Sequence, residues 1–226
     1  MRTQEVNYRQ PSLAGTSKSR FSHLKLLIAW PIYYTSHILT ENLIPEDQCH
    51  VVECGLDHII PFCEWFLIPY VVWYFLVVGA LGFFALRDVD GFKKLQTYII
   101  ITQVGATLVY ILHPNCQLLR PEFGPGGIER DNILIDGIRK LYSVDTNTGV
   151  FPSLHCAFSI AIASISARSK AVKPVWKWVL AITALLICLS TAFIKQHSIL
   201  DFFGAIVLCL VAEVLVFFVF FPKKKA

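Results

Sequence analysis

Six mostly apolar stretches of near-spanning length constrain this chain more than any other feature. They run from Leu24 to Ile44, Ile59 to Leu86, Gln96 to Leu112, Phe151 to Ala167, Val175 to Ile194 and Ile199 to Phe221. A hydrocarbon core about 30 Å thick is crossed by about 20 helical residues, and helices satisfy their own backbone groups where no water can. Of 226 residues, 55% are hydrophobic and 16% charged, whereas soluble domains run about 45–50% and about 25%. The expected fold is an all-α polytopic membrane protein, a single domain over 1–226 forming a six-helix transmembrane bundle behind a polar lead of residues 1–20. Pro31, His37 and Glu41 interrupt the first stretch. A secretory signal is the competing reading of that stretch, but its polar lead is long and no small-x-small cleavage site follows.

Charge placement orients the bundle. With six spans, 15 of the 20 basic residues fall on the side that holds both termini, and Lys and Arg are enriched in cytoplasmic segments. The opposite first loop, Glu41 to Glu64, holds six acidic residues and no Lys or Arg. Both termini are therefore expected in the cytoplasm. The basic residues are spread over four segments and form no single stripe, which argues against a nucleic-acid partner. No obligate protein partner is legible. Cys49, Cys54, Cys63 and Cys116 lie in or beside outward loops, where a disulfide is chemically possible, and spacing does not choose the pair. Cys156, Cys188 and Cys209 lie in spans and suit packing.

Three features of the outward side carry chemistry. Arg120-Pro121 offers a planar guanidinium suited to phosphate oxygens, in a long loop from His113 to Val150 with a short amphipathic helix near Ile133 to Tyr142. Phe151-Pro152-Ser153-Leu154-His155 opens the fourth span, and its exposed amides make an anion site at a helix start, to which the Ser153 hydroxyl adds a donor. His197 and Asp201 stand four apart at the start of the sixth span, on one helical face. A carboxylate on one imidazole nitrogen fixes the tautomer and leaves the other nitrogen as a nucleophile. Glu64, Glu213 and the Tyr70, Trp73, Tyr74 group carry no assigned role, the last reading as interfacial aromatics.

In these motifs the chain resembles the type-2 phosphatidic acid phosphatase superfamily. That pattern is Lys-x6-Arg-Pro, Pro-Ser-x-His, then Ser-Arg-x5-His-x3-Asp. It is met here by Arg120-Pro121, by Pro152-Ser153-Leu154-His155, and by Ser190 with His197 and Asp201, all within 113–201. His113 replaces the first Lys and Thr191 the second Arg. The Pro-Ser-Leu-His and Ser-Thr wordings look similar to the inositol phosphotransferase branch, which includes inositol phosphorylceramide synthases.

The resemblance implies a membrane lipid phosphatase acting on a lipid phosphate monoester or diphosphate outside the cytoplasm, with no metal and no cofactor. His197, oriented by Asp201, would become a phosphohistidine while His155 protonates the leaving alkoxide. Arg120, Ser153 and Lys195 would hold the phosphate, Lys195 standing in for the missing arginine from one turn beyond Thr191. The alternatives are a phosphotransferase that moves a phosphoinositol-type headgroup to an alcohol, and a non-catalytic transporter or scaffold that kept the fold.

Overall fold

Asp88 separates one apolar tract from the next. Its carboxylate accepts the amide of Gly91 at 2.9 Å, capping a new helix directly after Arg87 ends the previous one, and it accepts the Ser169 hydroxyl at 2.6 Å. The computed structural model describes residues 22–43 and 48–222, the side chains of residues 37 and 41–43 excepted. The polar lead and Lys223 to Lys225 lie outside the described residues.

The chain is mostly helical. A 3₁₀ segment, Ser22–Ile28, leads into α1 (Ala29–Leu43). Strand β1 (His50–Val51), α2 (Gly55–Ile59) and a 3₁₀ turn at Glu64–Phe66 precede α3 (Leu67–Arg87) and α4 (Val89–Leu112). Strand β2 (Asn115–Cys116), α5 (Ile133–Val144), α6 (Leu154–Arg168), α7 (Pro174–Phe193) and α8 (Ile199–Val214) follow, and α8 runs on as a π turn, Leu215–Phe220.

Four helical segments are long and apolar enough to cross a membrane: Glu64–Arg87, Val89–Leu112, Pro174–Phe193 and Ile199–Phe220. At about 1.5 Å per residue, a 24-residue segment reaches about 36 Å. These four coincide with the second, third, fifth and sixth apolar stretches. The second begins later than expected, because Pro61 follows α2 and cannot continue its hydrogen bonding. The fourth stretch is α6, a 15-residue helix, and the first is the 3₁₀ segment with α1. Phe75, Val78, Trp178 and Val207 are each more than 60% exposed, an apolar surface that suits lipid.

Helix α6 lies at the centre and packs against α3, α4, α7 and α8. Its Cys156, Ala157, Ser159 and Ala161 are fully buried, and such small side chains let helix backbones approach closely. The Tyr98 hydroxyl donates to the Cys209 carbonyl at 2.8 Å, joining α4 to α8. Glu213 is paired with Arg168 and accepts the Ser164 hydroxyl at 2.8 Å. Glu64 pairs with Arg130 at 2.8 Å, tying the 3₁₀ turn before α3 to the long loop.

The segments around residues 50 and 115 are stitched together by backbone and sulfur. β1 and β2 run parallel, with His50 beside Asn115 and Val51 beside Cys116. Cys49 and Cys116 form a disulfide, while Cys54 and Cys63 stay free. Spacing could not select that pair because it closes a loop between residues 67 apart.

Candidate functional site

The turn between α7 and α8 creates the centre of the site. Helix α7 stops at Phe193, and Lys195 adopts φ +54, a left-handed conformation uncommon for a non-glycine residue. The amides of Gln196 and His197 both donate to the Thr191 carbonyl at 3.0 Å, so the turn folds back on the helix end. Ser198 then caps α8, its hydroxyl oxygen accepting the Leu200 amide at 3.1 Å.

His197 is only 8% exposed. Its Nδ1 lies 2.9 Å from Asp201 Oδ2 and 3.1 Å from the Val150 carbonyl. A carbonyl can only accept, so Nδ1 carries the proton, and neutral His197 keeps its lone pair on Nε2. Burial opposes charging the imidazole, yet the Asp201 hydrogen bond and charge outweigh it and hold His197 above the ordinary histidine value. Asp201 is fully buried, and its Oδ2 also accepts the Ser198 amide at 3.1 Å.

His155 sits in the first turn of α6, held between aromatic faces. Its ring stacks on Tyr70 at 4.5 Å and tilts against Trp73 at 4.2 Å. The Tyr70 hydroxyl donates to Asp145 at 2.9 Å, which fixes that ring. His155 and His197 lie 5.8 Å apart between centroids. Both line a cavity of about 70 Å³, together with Tyr33, Trp73, Asp145, Thr146, Thr148 and Gln196. The first turn of α6 borders it through Leu154 and His155.

The three residues expected to grip phosphate are placed differently. Lys195 does not share a helical face with Thr191, because α7 ends before it; its ammonium donates to the carbonyls of Asp57 and Ile60 at 2.5 and 2.6 Å. Burial lowers its pKa. Arg120 lies behind the cavity wall, donating to the carbonyls of Tyr142, Asp145 and Thr146 and to Gln196 Oε1 at 2.7–3.2 Å, with its guanidinium 4.4 Å from the centre of the Tyr142 ring. Ser153 is fully buried; its amide donates to the Asp201 carbonyl at 3.1 Å and its hydroxyl oxygen caps α6. Ser190 and Thr191 return their hydroxyls to α7 carbonyls.

Protein-family models, curated proteins and solved structures give no match to this chain. The site is therefore read from its own geometry.

Two supporting residues escape a reading by motif. Asn115 accepts the amides of Val150 and Phe151 at 2.9 and 2.8 Å and donates to the carbonyls of His113 and Phe151, setting the segment whose Val150 carbonyl meets His197. Asp57 accepts the Ser198 hydroxyl at 2.6 Å, the Ile199 amide at 2.7 Å and the Cys54 amide at 2.8 Å. Burial opposes its charge, but these donors win and hold its carboxyl below the usual range. The only sequence signal for Asp57 was an acidic residue in a loop without Lys or Arg.

The His197 shift has a signed consequence for any reaction in which Nε2 attacks. The neutral ring is the nucleophile, so kcat/KM should rise with pH through a value above the unperturbed histidine pKa of about 6.5. Asp201→Asn removes the carboxylate that outweighs burial, so that acid limb should move to lower pH while the plateau rate falls. A pH profile of kcat/KM for both proteins decides it, and an unmoved limb rejects Asp201 as the group tuning His197.

Proposed function

We propose that the chain is an integral-membrane phosphatase of lipid phosphates that works through a phosphohistidine. The observation carrying this reading is the buried Asp201–His197 hydrogen bond, which leaves Nε2 as the basic nitrogen beside His155 and a cavity. The resemblance of Pro152 to His155 and of Ser190 to Asp201 to the type-2 phosphatidic acid phosphatases supplies the reaction class.

In the first step the Nε2 lone pair attacks phosphorus, an N–P bond forms, the P–O bond to the lipid breaks, and His155 gives its proton to the departing alkoxide. Asp201 balances the cationic phosphorylated ring. In the second step His155 takes the proton of a water molecule whose oxygen attacks phosphorus, and the N–P electron pair returns to Nε2. Developing phosphoryl charge would be met by the α6 helix start at Leu154 and by the side-chain NH2 of Gln196, both of which border the cavity. Preorganised donors of this kind commonly contribute more to lowering such barriers than any other single effect.

One observation favours transfer to an alcohol as a second reading. The cavity wall contributes Asp145, Thr146, Thr148 and Gln196, and Arg120, Ser153 and Lys195 are not among the residues lining it. A hydroxyl-rich acceptor and the single negative charge of a phosphodiester suit such a wall better than a dianionic monoester. For topology, we read six spans with both termini cytoplasmic and the cavity outside, on the strength of the basic-residue asymmetry.

The test is a panel of phosphatidic acid, phosphatidylglycerol phosphate, a polyprenyl diphosphate and a sphingolipid phosphodiester, with chelator present, with and without myo-inositol. Sealed right-side-out vesicles are compared with detergent. Phosphate release without inositol, from substrate added outside, is the expected result. Lipid conversion only with inositol selects the transferase, and activity only after permeabilisation reverses the topology. Absence of turnover and of phosphoenzyme with every lipid rejects both enzymatic readings.

A further inference from the structure

At the end of the bundle opposite His197, helices α3, α6 and α7 enclose a second cavity of about 430 Å³. Its wall is apolar, built from side chains such as Phe83 and Trp176, and it is hollowed at Gly79, where an added Cβ would meet nothing within 4 Å. The flanking surfaces of α3 and α7 are apolar and exposed, Phe75 and Trp178 at 73% each.

One polar atom in this wall is out of place. Ser166 is fully buried and lines the cavity, yet its hydroxyl has no hydrogen-bond partner among the described residues. Other buried hydroxyls in α6 and α7 turn back to their own backbone: Ser159 to His155, Ser190 to Ile187 and Thr191 to Cys188, at 2.6–2.8 Å. A buried hydroxyl without a partner is costly, and Ser166 has a carbonyl one turn back that it does not use. Ser166 lines the cavity, and an acceptor reaching its hydroxyl from there would complete the missing hydrogen bond.

The groups along the cavity come in a definite order. Gly79 lies eight residues before the end of α3, about 12 Å inside it. Ser166 lies two residues before the end of α6, about 3 Å inside. Lys173 precedes the first residue of α7 and lines the mouth, with Arg168, Lys170 and Lys177 near it in sequence. Alkyl floor, hydroxyl donor and ammonium follow one another outward. A glycerophospholipid presents the matching series: acyl chain, ester carbonyl just beneath the headgroup, then phosphate.

We propose that this groove binds one acyl chain of an anionic glycerophospholipid, with an ester carbonyl accepting the Ser166 hydroxyl and the headgroup phosphate at Lys173. The site is separate from the His155–His197 cavity and stands whether or not that cavity is catalytic.

The probe is phosphatidylglycerol, added to the full chain after exhaustive delipidation in detergent. Retained lipid is counted by native mass spectrometry, and the melting temperature is followed against lipid concentration. One retained phosphatidylglycerol per chain and a saturable rise in Tm are expected for the native protein. Gly79→Leu, which fills the floor, should retain none. Ser166→Ala and Lys173→Gln, which leave the floor intact, should each weaken the apparent Kd about three- to tenfold. Phosphatidylcholine should be held more weakly than phosphatidylglycerol, and dodecanol should not reproduce the Tm rise. Equal retention of the two phospholipids, an equal Tm rise with dodecanol, or full affinity in Ser166→Ala and Lys173→Gln overturns the proposal. Should Gly79→Leu fail to fold, the Ser166 and Lys173 variants decide alone.

Discussion

His197→Ala is expected to abolish phosphoenzyme formation and to lower kcat at least about 10⁴-fold with any substrate the protein turns over. The size follows from the role: His197 is the cavity imidazole held by a buried carboxylate, and loss of a covalent nucleophile leaves only the catalysis provided by binding and oxyanion donors. Trapping with ³²P-labelled lipid and acid quench measures the intermediate directly. His155→Ala separates the two histidines, because it should still form phosphoenzyme from an aryl phosphate, whose leaving group departs without protonation. Phosphoenzyme persisting in His197→Ala would remove the histidine from the mechanism.

Asp57→Ala should be the most damaging single change for stability among the residues outside the cavity. It would strip acceptors from the Ser198 hydroxyl and from the Ile199 and Cys54 amides, leaving buried donors unsatisfied. Removing a buried, hydrogen-bonded charge costs about 3–5 kcal/mol, near 10 °C in Tm at about 2–4 °C per kcal/mol for a chain of this size. Asp57→Asn keeps one acceptor oxygen and should recover part of the loss. Thermal unfolding in detergent measures both. A fall in Tm below about 2 °C for Asp57→Ala would show that the α8 start does not depend on the loop before α3.

The parts of the molecule written locally in the chain were readable, and the parts made by distant residues were not. Long apolar runs give α3, α4, α7 and α8 because a helix satisfies its own backbone groups all along such a run. The expected contact between His197 and Asp201 forms, although not across a helical face: His197 stands in the turn just before the Ser198 cap of α8, and Asp201 lies in the first turn of that helix. The face expected to carry both Lys195 and Thr191 does not form, for one backbone reason: the helix stops at Phe193, and Lys195 itself turns left-handed with its ammonium on the Asp57 and Ile60 carbonyls. Asp57 and Asn115 reach the site from 140 and 82 residues away in sequence, through hydrogen bonds that leave no periodic trace. The Cys49–Cys116 pairing belongs to the same class, set by where β1 and β2 meet.

The packing of Trp73 against His155 turns the proposed acid into something that can be watched. An indole in contact with an imidazole loses fluorescence when that ring gains a proton, because the imidazolium is the better quencher. The other four tryptophans, at positions 30, 65, 176 and 178, show no such ring contact with a histidine among the described residues. Emission from this chain is therefore expected to change when His155 gains or loses a proton, without substrate and without a label. The same signal, followed in a stopped-flow instrument, would time the departure of that proton during a turnover.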